Sequence, residues 1–156
     1  MKVMVGGTFD PLHDGHKKLI ERSFTIAGDG GEVVIGLSGD VFANRKSHPI
    51  RPFEERKADL VAFVENLTAE MNSNAVWKIE ELHDKYGSTL DTDFDAIVVS
   101  EETFPTAVEI NKLRKEKKRS KVDIHQITCV LADDGRWISS TRIWKGEIDI
   151  HGNLIK

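Results

Sequence analysis

The stretch M-K-V-M-V-G-G-T-F-D-P-L-H-D-G-H, residues 1–16, carries more information than any other part of this sequence. Its apolar residues 3–5 predict a buried strand, and Gly6 and Gly7 allow the backbone to turn or to approach a ligand closely. A helix is predicted next, because apolar or small residues recur at helical spacing at Leu19, Ile20, Ser23, Phe24 and Ala27. The N-terminus of such a helix has free N–H groups and partial positive charge, which suit an anion and most often a phosphate.

Strand-like and helix-like segments alternate along the rest of the chain. Further strands are predicted at residues 32–37, 76–79, 96–99 and 122–127. Helices are predicted from residue 53, from residue 103 to about 117 and over 138–145, whereas 38–48 is predicted to be a loop and 147–156 a loose tail. The alternation favours the α/β class: one Rossmann-like domain over 1–156, with a doubly wound, parallel, five-stranded sheet and helices on both faces. Ligands bind such sheets at the carboxyl ends of the strands, so the turns after Gly7, Leu37, Val99 and Leu131 should share one rim.

The composition is that of an ordinary globular protein of 156 residues, with 39% hydrophobic and 31% charged residues. A net charge of −4 does not support general nucleic-acid binding. The only cysteine, Cys129, fits a reducing compartment. No apolar run approaches the ~20 residues that a membrane-spanning helix needs, and no signal sequence precedes the first strand. We therefore expect a cytoplasmic protein that binds neither nucleic acid nor membrane.

The glycines of the first turn match neither the G-x-G-x-x-G dinucleotide pattern nor the G-x-x-x-x-G-K-[ST] phosphate loop. The run T-F-D-P-L-H-D-G-H at residues 8–16 instead resembles the (H/T)-x-G-H signature of the nucleotidylyltransferase superfamily, with a strand before it and a helix after it. Those enzymes transfer a nucleotidyl group from a nucleoside triphosphate and release pyrophosphate. A zinc site is disfavoured, because the pair His13 and His16 has no further ligand nearby in sequence. A capping or surface role for the two histidines is the other alternative.

A second segment, I-S-S-T-R at residues 138–142, resembles the I-S-S-T-x-x-R signature of the same superfamily. Hydroxyl groups at a helix start can bind phosphate oxygens, and an arginine one turn later can clamp them. Lys145, three residues beyond Arg142, can share this role. Alone, a Ser-Ser-Thr run is also a common helix cap.

A third block, V-V-S-E-E-T at residues 98–103, is followed by Ala107, Ile110-Asn111 and Arg114. It closely resembles a block of the archaeal and eukaryotic-type phosphopantetheine adenylyltransferases, and the segments 36–40 and 52–56 are similar to that family too. The resemblance covers nearly the whole chain. It implies transfer of AMP from ATP to 4′-phosphopantetheine, giving 3′-dephospho-coenzyme A and pyrophosphate in coenzyme A biosynthesis.

The resemblance also implies roles for residues of this chain. His16 would act on the α-phosphate and His13 on the β- or γ-phosphate, while Arg142 would clamp the β- and γ-phosphates. Lys46, or alternatively Arg45, would neutralise the acceptor phosphate. The implied substrate-binding residues are Gly6, Gly7, Thr8, Phe9, Asp10, Ser100, Glu101, Glu102, Thr103, Arg114, Ser139, Ser140, Thr141 and Lys145. Mg²⁺ is the implied cofactor, carried mainly by the phosphates without a protein metal site.

Alternatives remain at this point. The acceptor could be nicotinamide mononucleotide, or the nucleotide could be CTP with an alcohol phosphate. The chain could also bind nucleotides without catalysis. The basic run at residues 112–121 could bind nucleic acid, although it has no interleaved aromatic residues and is more simply explained as a solvated helix end. For the oligomeric state we expect a monomer or a dimer.

Overall fold

The computed structural model describes residues 1–43, 49–128 and 130–155 of the chain. Within them the strands are β1 (Lys2–Gly7), β2 (Glu32–Ser38), β3 (Val76–Leu82), β4 (Ala96–Val99) and β5 (Asp123–Gln126). The helices are α1 (Asp14–Ala27), α2 (Asp40–Ala43), α3 (Phe53–Glu70), α4 (Phe104–Glu116) and α5 (Ser140–Trp144). The predicted strands are confirmed, with ends that differ by at most a few residues.

The five strands form one parallel sheet in the order β3-β2-β1-β4-β5. Strand β1 is central, so that Met4 lies beside Val34 of β2 on one side and Ile97 of β4 on the other. The chain moves outward from β1 to β3, then crosses back to β4 on the opposite side. This confirms the predicted doubly wound α/β fold and places its crevice between β1 and β4, at their carboxyl ends.

Alternate residues of β1 pack into two different clusters, because successive strand side chains point to opposite faces. Val3 and Val5 are buried with residues of α1 and α3, including Phe24 and Leu60. Met4 is buried with residues of α4, including Ile110. Helices therefore cover both faces of the sheet, as predicted.

The predicted loop over 38–48 is wrong at its beginning, where residues Asp40–Ala43 form the short helix α2. The backbone N–H of Ala43 donates to Gly39 O at 2.8 Å. The Asp40 carboxylate accepts from the backbone N–H of Phe53, at 2.8 Å. Asp40 bonds to Phe53, 13 residues away in sequence, so no local sequence pattern predicts this turn.

The predicted loose tail over 147–156 is also wrong for the residues that the structure describes. Ile148 is fully buried against Ala132 and Ile138. The following residues turn around Asp149, whose Oδ1 accepts the N–H groups of His151 and Asn153, each at 2.9 Å. The segment lacks strand or helix periodicity, but its one buried isoleucine and its side-chain-bonded turn are enough to order it.

Candidate active site

Two cavities meet at the carboxyl edge of the sheet. The histidine cavity, about 170 Å³, lies on the α1 side and is lined by His13, His16 and Ser139 among others. The apolar cavity, about 380 Å³, lies on the α4 side and is lined by Met4 and Ile110 among others. Both cavities are also lined by Gly6, Gly7, Thr8 and Thr103. The predicted rim is therefore present, with the end of β1 between two compartments.

His13 and His16 form a stacked pair at the start of α1. Their ring centroids are 3.6 Å apart and the rings are inclined by only 19°. His13 is the N-cap of α1, and its Nδ1 accepts from the backbone N–H groups of Gly15 (3.1 Å) and His16 (3.3 Å). The His16 Nδ1 accepts from the backbone N–H of His13 at 3.4 Å. Because Nδ1 of each ring accepts a hydrogen, each imidazole carries its proton on Nε2 and can donate from that atom.

Burial decides the charge of His13. The residue is 6% exposed, and this desolvation lowers its pKa from 6.5 to about 4, against a smaller opposing effect of the Asp14 carboxylate. His13 is therefore neutral at pH 7 and acts as an uncharged N–H donor.

The predicted free N–H groups at the start of α1 are not free, and this expectation is wrong. The N–H of Asp14 donates to Ile150 O at 3.0 Å, and those of Gly15 and His16 donate to the His13 ring. The next N–H, of Lys17, makes the regular helical bond to His13 O. An anion in the histidine cavity would therefore meet imidazole N–H groups rather than the amides of the helix.

The Phe9 side chain packs against the histidine pair. It is 1% exposed, and its ring meets the His16 ring edge-on, with centroids 5.0 Å apart. A Cβ placed on Gly7 would lie 3.2 Å from the Phe9 ring, so glycine allows the turn to close over it. Phe9 also has a positive φ of 51°. It lines the histidine cavity as a packed wall residue.

Asp10 is buried, and Arg51 occupies its carboxylate. The Asp10 oxygens accept from the backbone N–H of Arg51 at 2.8 Å and from its Nε at 2.6 Å. These bonds also contribute to a raised pKa of the Arg51 guanidinium, with the Asp10 hydrogen bond as the largest cause. Asp10 therefore holds the 49–52 segment beside the site, and the sequence reasoning had not identified its partner.

Arg56 is a second residue that sequence reasoning did not place at the site. It is fully buried and donates to the backbone carbonyls of Thr8 (3.2 Å) and Ser38 (2.7 Å). It also donates to Arg51 O and to the Asp40 carboxylate. Arg56 thereby joins the ends of β1 and β2. Apart from its place in the 52–56 resemblance, no pattern in the sequence indicates a buried arginine.

The predicted Ser-Ser-Thr segment does reach the histidine cavity, which Ser139, Ser140 and Thr141 all line. Ser139 is also the N-cap of α5, accepting from the Arg142 N–H at 3.2 Å. The segment therefore both caps α5 and lines the histidine cavity. Ser100, Glu102 and Thr103 line the same cavity from the turn after β4.

Arg142 itself faces a cluster of acidic side chains. Its guanidinium donates to the Asp134 carboxylate and to Trp137 O, and its Nε lies 3.6 Å from Glu147. The Arg142 hydrogen bond is the largest reason why the pKa of Asp134 falls to about 2. Arg142 is not among the residues that line the histidine cavity, and neither are the exposed side chains of Glu101 and Lys145.

Arg114 lines neither cavity, so this structure does not support its predicted contact with substrate, although its partner Thr89 lines the apolar cavity. Arg114 is 1% exposed and donates to Thr89 O (2.6 Å), Thr92 O (2.8 Å) and Ser120 O (2.8 Å). α4 begins at the carboxyl edge of the sheet, and ten residues of helix carry the chain about 15 Å toward the amino edge. Arg114 instead anchors the 89–92 segment.

Lys46 and its alternative Arg45 lie outside the described residues, as does Cys129. Within the described part of the chain, no group of three or more His, Cys, Asp or Glu side chains could hold a metal ion. No helix in that part is long and apolar enough to cross a membrane.

Comparison with known proteins adds to this geometry. A family model described as cytidylyltransferase-like matches residues 4–146. A phosphopantetheine adenylyltransferase from Methanosarcina acetivorans is 46% identical over 153 residues, which cover 98% of this chain and 95% of the relative. The chain belongs to the archaeal phosphopantetheine adenylyltransferase branch of the cytidylyltransferase-like family.

Two further proteins match over nearly the full length of this chain. A phosphopantetheine adenylyltransferase from Archaeoglobus fulgidus is 39% identical over 155 residues, covering 99% of this chain and all of the relative. A solved structure of a protein of unknown function from the same organism superimposes with a TM-score of 0.71 at 30% identity, with all of both chains covered. These matches confirm the resemblance predicted from the sequence, which covers nearly the whole chain.

Proposed function

We propose that this protein transfers the adenylyl group of ATP to 4′-phosphopantetheine, giving 3′-dephospho-coenzyme A and pyrophosphate. The observation that carries the proposal is the pairing of two cavities across Gly6–Thr8, one lined by the histidine pair and one largely apolar. The names of the archaeal relatives support the same reaction. A cytoplasmic location is part of the proposal.

The apolar cavity suits the acceptor. The pantetheine arm carries a dimethyl group and amides on a flexible chain, and therefore needs apolar walls with a few polar groups. Met4, Val34 and Ile97 supply apolar surface, and Tyr86 and Ser88, whose hydroxyl groups donate to Glu109 and Glu80, also line the cavity. With the arm in this cavity, the acceptor phosphate would lie at Thr8, next to the histidine cavity.

The histidine cavity suits the nucleotide phosphates. A phosphate monoester has its second pKa near 6 and is already largely a dianion at pH 7, so the nucleophile needs no general base. The reaction instead requires in-line positioning and stabilisation of charge at the α-phosphorus. In the proposed complex His16 donates from Nε2 to the α-phosphate. His13 and the hydroxyl groups of residues 139–141 hold the departing pyrophosphate.

Three further parts of the proposal concern Mg²⁺, the basic residues before α3 and Arg142. Mg²⁺ would be held mainly by phosphate oxygens, with Glu102 of the histidine cavity as an available carboxylate, and would neutralise phosphate charge. Lys46, or alternatively Arg45, would neutralise the acceptor phosphate. Arg142 would have to exchange its carboxylate partners for phosphate oxygens.

The deciding experiment measures pyrophosphate release with ATP and Mg²⁺ in the presence of 4′-phosphopantetheine, nicotinamide mononucleotide or no acceptor. We expect release only with 4′-phosphopantetheine. A parallel series replaces ATP by CTP, which should not react. Release with another acceptor would overturn the substrate assignment, and no release in any mixture would favour nucleotide binding without catalysis. Light scattering of the same preparation checks the expected monomer or dimer.

A further inference from the structure

We propose that the C-terminal turn, defined as residues 148–153, positions the two halves of the histidine cavity relative to each other, and that His151 is a positioning residue for catalysis. The catalytic consequence rests on the proposed function. The structural part, a turn that holds the start of α1, can be tested without it.

The turn contacts the start of α1 at two points. Ile150 O accepts the backbone N–H of Asp14 at 3.0 Å. The Nδ1 atom of His151 lies 3.0 Å from Asp14 Oδ1. Asp14 lies between two residues that line the histidine cavity, His13 and Gly15, yet does not line it. The contact with His151 therefore holds a carboxylate, which would repel phosphate, outside the cavity.

The same turn contacts the segment that leads into the Ser-Ser-Thr motif. Ile148 is fully buried against Ala132 and Ile138, and Gly152 O accepts the N–H of Asp133 at 2.9 Å. A Cβ on Gly152 would lie 2.8 Å from both Ala132 Cα and Ile138 Cδ1, so the backbones approach closely here. Ile138 lines the histidine cavity and directly precedes Ser139.

Internal hydrogen bonds make the turn rigid enough to transmit position. Asp149 Oδ1 accepts from His151 N and Asn153 N, and Asp149 Oδ2 accepts from Asn153 Nδ2 at 3.0 Å. These bonds lower the pKa of the Asp149 carboxyl, with the Asn153 side chain as the largest cause. A six-residue unit thus links the histidine pair to the Ser-Ser-Thr segment.

Position matters because the proposed reaction depends on alignment. A misplacement of about 1 Å can cost about 100-fold in rate even when the altered residue is far from the reacting atoms. His151 lines neither cavity and its side chain is 56% exposed, so replacing it should not unfold the protein. Its effect should appear in the alignment of the phosphates.

The test compares His151→Ala with His151→Asn, whose Nδ2 can still donate to Asp14. We expect His151→Ala to lower kcat about tenfold and to raise KM for ATP, while KM for 4′-phosphopantetheine stays within about twofold of wild type. His151→Asn should recover most of the loss. The control is His83→Ala, because His83 is an exposed histidine beside a carboxylate, Glu81, outside both cavities.

Amide hydrogen exchange gives a readout that does not need activity. In His151→Ala the amide of Asp14 should exchange faster than in wild type, by at least about threefold, and His83→Ala should leave it unchanged. Unchanged exchange would overturn the proposal, and so would unchanged kcat and KM for ATP in an active enzyme. If the wild type shows no turnover, the proposed function fails, and the exchange data alone then decide whether the turn holds α1.

Discussion

His13 and His16 show how local hydrogen bonds set the chemistry of a side chain. The Nδ1 atom of each ring accepts hydrogen bonds from backbone N–H groups at the start of α1. The remaining proton is therefore on Nε2, and the two stacked rings line the histidine cavity. Burial keeps His13 uncharged at neutral pH. Hydrogen bonds to phosphate from such donors gain strength as charge develops in the transition state.

His16→Ala should lower kcat by at least about 100-fold, the low end for loss of a donor that stabilises transition-state charge. The change in kcat is measured by steady-state pyrophosphate release. His16→Gln, which retains an N–H at the end of the side chain, should keep more activity than His16→Ala. A value for His16→Ala within a few-fold of wild type would remove His16 from the proposed role.

The depressed pKa of His13 predicts that stability falls in mild acid. The unfolded chain binds a proton near pH 6.5, whereas the folded chain binds it only near pH 4. The unfolding free energy is therefore unaffected by His13 titration above about pH 6.5, and it decreases as the pH falls toward 4. Relative to His13→Asn, which can still cap α1, the unfolding free energy of wild type should drop by about 2 kcal/mol between pH 7 and pH 5.

Urea unfolding of both proteins at the two pH values measures this difference, in which the titration of the carboxylates largely cancels. Parallel pH profiles for wild type and His13→Asn would contradict the assigned burial of a neutral imidazole.

At the level of elements, the site depends on how the ends of strands are joined. Arg56, near the start of α3, donates to carbonyl oxygens at the ends of β1 and β2. Asp10 binds Arg51, which lies just before α3. α3 therefore helps to hold the turn that contains Thr8 and Phe9. This support is reciprocal, because Arg56 also needs these acceptors for its buried charge.

Arg56→Met should destabilise the protein by about 3 kcal/mol or more, because buried carbonyl groups lose their donor while the side chain keeps a similar length. Thermal or chemical unfolding measures the change. Arg22→Met is the matched control, since Arg22 is exposed on α1, and it should stay within about 0.5 kcal/mol of wild type. Similar losses in both variants would mean that the Arg56 bonds contribute little.

At the level of the whole molecule, the sheet separates the two cavities that we propose for the two substrates. The apolar cavity lies on the face covered by α4 and the histidine cavity on the face covered by α1, and they meet where β1 ends. The crevice exists because the chain crosses from one side of β1 to the other. Changes in one cavity should therefore affect one substrate more than the other.

Gly36→Ala tests this separation. A Cβ at Gly36 would lie 2.8 Å from Leu82 Cδ1, so Leu82 should move within the apolar cavity that both residues line. We expect KM for 4′-phosphopantetheine to rise several-fold, with KM for ATP within about twofold. The double variant Gly36→Ala/Leu82→Ala removes the clash and should recover part of the affinity. An equal rise in both KM values would contradict two separate compartments.

Local sequence determined the elements and much of the site. Alternating apolar segments specified five strands, and the Gly6-Gly7 turn placed His13 and His16 at the carboxyl edge of the sheet. Ser139–Thr141 reached the same cavity, since their position after the last strand follows from the order of elements. These features depend on residues close together in sequence, where side-chain periodicity and turn chemistry are directly visible.

Tertiary structure decided the partners of the charged groups. Arg114 and Arg142 carry the same charge, yet Arg114 anchors backbone carbonyls of the 89–92 segment and Arg142 faces Asp134. The ordered C-terminal turn contacts Asp14, which lies 137 residues from His151 in sequence. Such pairs leave no local pattern in the sequence, because each charged side chain meets its hydrogen-bond partner only after the sheet has brought distant segments together.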